Sequence, residues 1–180
     1  VEIAKFGKPT ILMTPNNSFE EKIAAMNEHR KYHDQNEAYV WDGESVPFGT
    51  IATPSKFVVS VVDGAQHMPH IEGIPARSKW GERKRLMKEY YKKKGMKLIN
   101  AHEYAVLMQK SLRDHHNGQG EIVDWKNTVT CLGDGPLINL FDVSSAYFSA
   151  ERSRVFFGAL GSASTNEDLR GRPSVQVLEI

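Results

Sequence analysis

Between residues 78 and 112 the chain starts a helix, stops it and starts another, and no other stretch restricts the fold as strongly. Trp80, Leu86, Met87, Tyr90 and Tyr91 put an apolar stripe on an otherwise basic segment over residues 79–94. Ser78 stands in the capping position, and Gly95 supplies a left-handed stop. Asn100 and Glu103 are then spaced as a capping box, and Tyr104, Leu107, Met108 and Leu112 mark the buried side of a second helix. Two helices in direct succession do not fit a repeating strand–helix–strand unit. Residues 56–62, nearly all β-branched or aromatic, precede them as a strand expected to be buried on both faces. A turn at Asn117-Gly118-Gln119-Gly120 follows, then strand candidates over residues 122–125, 128–132, 155–160 and 175–180. The stretch from Gly158 to Ser162 reads as a flexible turn, and residues 65–78 as an irregular loop. Strand, two helices and a loop-rich β half make an α+β chain.

Ahead of this lies an N-terminal helical arm, so residues 1–54 are set apart from a body over residues 55–180. Pro9 and Pro15 keep residues 1–17 extended. Ser18 and Glu21 form a capping box opening a helix over residues 19–33, with Phe19, Ile23 and Met26 on one face. Residues 38–41 read as a short strand closed by Asp42-Gly43, and residues 47–54 as a loop. Because Ile3, Phe6, Ile11, Leu12 and Met13 make the extended segment apolar, it is expected to dock on another copy of the chain or on a partner protein. Deleting residues 1–17 should then leave a folded monomer. The competing expectation is that the arm folds back on its own body.

Composition narrows the class without deciding it. A chain of 180 residues suits one domain burying about 70% of its extended surface. With 40% hydrophobic and 25% charged residues it matches neither a disordered nor a membrane-embedded chain. No apolar run approaches the roughly 20 residues of a membrane-spanning helix, so no membrane partner is expected. The opening Val1 to Phe6 has neither the basic start nor the apolar stretch of a secretion signal, and it lacks Met, as a chain beginning after a cut would. The single cysteine, Cys131, excludes an intrachain disulfide and a multi-cysteine zinc site, and reads as a small core residue.

Charge is unevenly spread. Net charge is +1, yet residues 77–97 carry ten Lys and Arg against Glu82 and Glu89, a local +8 that leaves −7 for the rest. Arg83, Lys84, Arg85, Lys88, Lys92, Lys93 and Lys94, with Tyr90 and Tyr91 nearby, can contact phosphates while the rings stack on bases. The same residues equally make a solvated helix face whose last lysines complement the helix dipole. His67, His70 and Glu72, with His102, Asp114, His115 and His116, are the candidate metal ligands. Pro69 breaks the spacing of the first pair and no recognised ligand pattern appears, so no metal and no cofactor is expected. There is no phosphate loop, dinucleotide fingerprint or nucleophile elbow, and no catalytic residue is assigned.

The helix ending in Lys94-Gly95-Met96-Lys97-Leu98 and the run Ala101-His102-Glu103-Tyr104-Ala105 resemble the helix, "G-x-R-L-P-T" and "A-E-W-E-Y-A" stretch of the C-type-lectin-like fold, in its formylglycine-generating-enzyme/sulfatase-modifying-factor version. Phage tail proteins with this domain carry a still closer variant. Ser144-Ser145-Ala146-Tyr147 and Arg172-Pro173-Ser174-Val175 resemble its "W-S-S-S-x-Y" and closing "V-R-P-V" segments. Tyr104 stands where the family has Trp, and Ile99-Asn100 where it has Pro-Thr. The resemblance covers residues 55–180 and implies that residues 175–180 close the domain beside an early strand. The family's enzymes use paired cysteines, which this chain lacks, so formylglycine formation is excluded. What the resemblance implies instead is a non-enzymatic structural or adhesion protein of a virion, in the tail or decorating the capsid. Its partners would be other virion proteins, copies of itself, or a host glycan or protein. Ligand contact in such domains comes from the late loops, which here hold Trp125, Asn127, Asp134, Asp142, Tyr147, Arg152, Arg154, Asn166, Asp168 and Arg170. Neither triplet of calcium-dependent lectins, Glu-Pro-Asn or Trp-Asn-Asp, occurs. The alternative class is a nucleic-acid-associated protein acting through the basic helix 79–94.

Overall fold

The computed structural model describes residues 3–31, 51–125, 128–134, 142–151 and 154–180. In chain order the elements are β1 (Pro9–Thr14), α1 (Phe19–Lys31), β2 (Val58–Asp63), α2 (Trp80–Lys93), β3 (Lys97–Leu98), α3 (Ala101–His116), β4 (Val129–Cys131), β5 (Asp142–Ser149), β6 (Arg154–Gly161), β7 (Leu169–Gly171) and β8 (Pro173–Glu179). They build an α+β fold of two four-stranded sheets, ordered β1-β2-β8-β3 and β6-β5-β4-β7. The first sheet is antiparallel throughout; in the second, β4 pairs with β7 in parallel.

Local chemistry accounts for the helices. Ser18 Oγ accepts the Glu21 N–H at 3.1 Å, and the Glu21 carboxylate accepts the Ser18 N–H at 2.7 Å. Asn100 and Glu103 close the same reciprocal box at the start of α3. These two caps stand as the sequence predicts. Gly95 takes φ +70° after α2, again as expected. Ser78 does not cap α2: its hydroxyl donates to Pro75 O at 2.8 Å, and Lys79 occupies the cap without a side-chain bond. A proline-rich approach offers Ser78 a nearer carbonyl than the helix offers it an N–H.

The extended N-terminal segment is a strand of the protein's own sheet. Six residues of β1 pair with β2, from Pro9 opposite Asp63 to Thr14 opposite Val58. Leu12 faces inward at 1% exposure, joining Val62, Phe19, Ile23 and Met26 in one core with Tyr104, Leu107 and Met108 of α3 and Phe148, Val155 and Phe157 of the second sheet. Each such side chain contributes about 1.5–3 kcal/mol of burial. Lys22 braces the β1–α1 turn by donating to Pro15 O and Asn17 O at 2.8 and 2.7 Å. Docking of residues 1–17 on another copy is therefore corrected to pairing within the chain, because β2 presents the complementary edge.

A second core gathers Trp80, Met87 and Tyr91 of α2 with Phe6, Leu98, Cys131, Val143, Leu169 and Val175. Cys131 is fully buried, as expected. Other strand readings change. Val59 and Val61 are only half-buried, so β2 buries one face rather than two; Ile11 and Met13 stand exposed beside them. Residues 122–125 form no strand: Val123 and Asp124 turn, with Asp124 at φ +57°, and Trp125 makes an isolated parallel bridge to Phe148. Gly158 lies inside β6, and the turn begins at Ser162. The expected closing strand is present: β8 pairs antiparallel with β2, with a bulge at Val59/Ser60. The readings for residues 32–33, 38–43 and 47–50 lie outside the described residues.

Candidate functional site

α2 positions both of the main clefts, and its own placement depends on a buried arginine. Arg83, 2% exposed, donates through Nη1 to Asn166 O at 2.9 Å and through Nη2 to Ser78 O at 2.9 Å and to Ala76 O. Trp80 Nε1 donates to the same Asn166 carbonyl at 2.7 Å. Two loops, 65–78 and 162–168, are thus tied to one helix face. Arg83 has no access to a nucleic acid, which corrects its place among the phosphate-contacting candidates.

The first cleft, of about 330 Å³, lies between the N-terminal turn, the loop after β2 and the end of α2. Phe6, Met68, Tyr91 and Met96 are its buried floor, and Lys5, His67, His70, Glu72, Tyr90 and Lys94 line it more openly. Asp63 shapes its inner end by accepting the N–H groups of Gly7, Lys8 and Ala65 at 2.8, 3.1 and 3.0 Å. Lys94 Nζ sits 4.5 Å above the Tyr90 ring. Tyr91 donates its hydroxyl to Gly171 O at 2.9 Å, and burial raises its pKa well above the ordinary phenol value, so it stays protonated. His67 and His70, singled out as metal candidates, do share this cleft with Glu72. His67 Nδ1 lies 3.3 Å from Thr128 Oγ1, and among the described residues no three His, Cys, Asp or Glu side chains come close enough to hold a metal ion. Burial and the neighbouring Arg170 and Arg83 hold His70 below its ordinary pKa. An apolar floor with imidazole and ammonium donors around it is equipped to bind.

The second cleft, of about 320 Å³, opens on the other flank of α2. Lys88 and Lys92 line it with Lys97, Asn100, Gly133 and Asp134. The tyrosines read with this basic face are elsewhere: Tyr91 is buried and Tyr90 belongs to the first cleft.

The late-loop residues fall in four separate places, Asp134 being the one in the second cleft. Trp125 stacks on Phe148 with centroids 5.4 Å apart, with His115 at 6.1 Å, near the end of α3. Tyr147 stacks on Phe156 across the β5–β6 pair, at 5.1 Å and 12°, and Arg154 lies opposite Ser149 on that same face. Asn166 and Asp168, in the loop before β7, and Arg170, within β7, lie together near α2: Asn166 Oδ1 accepts the Asp168 N–H at 2.9 Å, and the Arg170 guanidinium donates to Glu167 O. Asn127 and Arg152 lie outside the described residues, as does the side chain of Asp142.

Sequence reasoning missed the innermost polar group. Arg172 and Asp124, both 0% exposed, pair at 2.7 Å. Asp124 Oδ2 also accepts the Tyr104 hydroxyl at 2.7 Å and the Thr130 hydroxyl at 2.6 Å, while Arg172 Nη1 donates to Ala65 O at 2.9 Å and to Asp63 O. Nothing in local spacing marks these residues, since the four side chains are spread over residues 104–172.

Among the described residues, two four-stranded sheets and three α-helices, with a cleft on either flank of α2, give this chain an α+β fold. No family model, curated protein or solved structure matches it.

Proposed function

We propose that the chain is a non-catalytic adhesion or structural domain with C-type-lectin-like connectivity, of the kind virion tail and capsid-decoration proteins carry. It recognises a glycan or protein surface through the outer face of β5 and β6. Support for the connectivity comes from the antiparallel β2–β8 pair, which brackets both α2 and α3. The observation that carries the binding role is the Tyr147–Phe156 stack, a flat half-buried aromatic pair with Arg154 and Ser149 beside it on the same face. Such a surface suits a sugar ring or a peptide plane, against which the two rings can stack.

A glycan array probed with the intact chain tests this reading. Tyr147→Ala combined with Phe156→Ala should abolish binding to every retained glycan while leaving the circular dichroism spectrum unchanged. Retention without those rings, or no retained glycan or surface protein, removes the proposal. Capsid or tail genes adjoining its own would support the virion assignment.

A nucleic-acid role draws on one observation. Lys88, Lys92 and Lys93 are exposed and form no ion pair among the described residues. With Arg83 and Tyr91 buried and Arg85 held by Glu89 at 2.7 Å, little but point charges remains for that role. Filter binding across a salt titration decides it: absence of binding at low salt ends this reading.

A further inference from the structure

We propose that the second cleft binds a phosphate monoester carried on a hydroxylated, sugar-like body. Lys84, Lys88 and Lys92 recur every fourth residue, a row about 12 Å long on one side of α2. Like charges at this spacing weaken a helix. One step around the same helix, Arg85 has Glu89 as an ion-pair partner, yet the three lysines have none among the described residues. Lys97 lines the cleft from β3, its ammonium paired with the fully buried Glu103 carboxylate at 3.3 Å. Among the residues that line the cleft, Lys88 and Lys92, with no ion-pair partner among the described residues, face a single carboxylate, Asp134.

The ligand class follows from that imbalance. A phosphate monoester carries nearly two charges near neutral pH and three acceptor oxygens, which compact ammonium groups match well. Asp134 would repel a second phosphate but accepts from hydroxyls. Asn100 commits its Oδ1 to the Glu103 N–H at 2.7 Å and retains its amide donors. Met96 and Leu98 supply apolar contact for a ring face, and about 320 Å³ accommodates a phosphorylated monosaccharide. Gly133 belongs to the shape of the cleft: a Cβ there would lie 2.8 Å from Leu98 O. A polynucleotide is less well served, because no exposed ring lines this flank.

Isothermal titration calorimetry on the intact chain, with glucose-6-phosphate, glucose, inorganic phosphate and a deoxythymidine oligonucleotide as probes, tests the assignment. Glucose-6-phosphate should bind at least about tenfold more tightly than inorganic phosphate, and glucose should not bind. Lys88→Glu with Lys92→Glu, both on exposed side chains, should weaken glucose-6-phosphate by at least about tenfold. Asp134→Asn should narrow the preference over inorganic phosphate. Amide shifts at Leu98 and Gly133 on titration would place the ligand in this cleft. Equal affinity for inorganic phosphate, tighter binding of the oligonucleotide, shifts confined to other residues, or no binding at about 10 mM would each overturn the proposal.

Discussion

At the scale of single residues, the Arg172–Asp124 pair should dominate any mutational series. Removing one member of a fully buried ion pair strands the other without water, at a cost of about 3–5 kcal/mol. Arg172→Leu should lower the free energy of unfolding in urea by that amount. A loss below about 1 kcal/mol, the range of exposed pairs, would mean the pair is hydrated. His102 makes a second case. Burial and the nearby Lys22 push its pKa below the ordinary 6.5, against the hydrogen bond from Nε2 to Ala52 O at 3.0 Å. The unfolded chain therefore takes up this proton at higher pH than the folded one. Stability should fall as pH drops below about 6.5. His102→Phe, which keeps a ring at 5.5 Å from Phe19, should make the melting temperature less sensitive between pH 7 and 5 than in the parent. An unchanged slope would show that another group, such as His70, sets it.

Elements show where sequence reasoning reached and where it stopped. Capping boxes depend on residues three apart, so Ser18/Glu21 and Asn100/Glu103 were legible, and so was the Gly95 stop. Asn100→Ala should cost about 0.5–2 kcal/mol in the same urea assay, whereas Ser78→Ala should cost little because Ser78 caps nothing. Equal losses at both positions would contradict the observed caps. Strands were harder. Ile122-Val123-Asp124-Trp125 has strand-like composition, but Asp124 must turn at positive φ to meet Arg172, Tyr104 and Thr130, and that demand comes from distant residues. β5 holds Ser144, Ser145 and Ala146, small side chains buried because β4 and β6 pair on either side, which composition does not announce. The late-loop site residues share a region of sequence but not a surface. Tyr147 and Arg154 do lie on one face, a consequence of the β5–β6 register.

For the whole molecule, the α+β class was readable from element order, and the first strand was the main surprise in what it touches. Leu12 is at 1% exposure, six β1 residues pair with β2, and Gly7 and Lys8 donate to Asp63. Deleting residues 1–17 should therefore abolish the cooperative thermal transition, the reverse of what an independent arm would do. A truncated chain that still melts cooperatively would restore the arm. The Arg172–Asp124 pair has a temporal consequence as well. Its acceptors and partners come from residues 63–65, 104, 124 and 130, all translated before the arginine. Until residue 172 leaves the ribosome, the Asp124 carboxylate has no cation and the end of β2 lacks its clamp. The nascent chain must therefore wait with its interior open, exposed to chaperones and proteases, and complete its core only once Arg172 and the β8 that follows it have emerged.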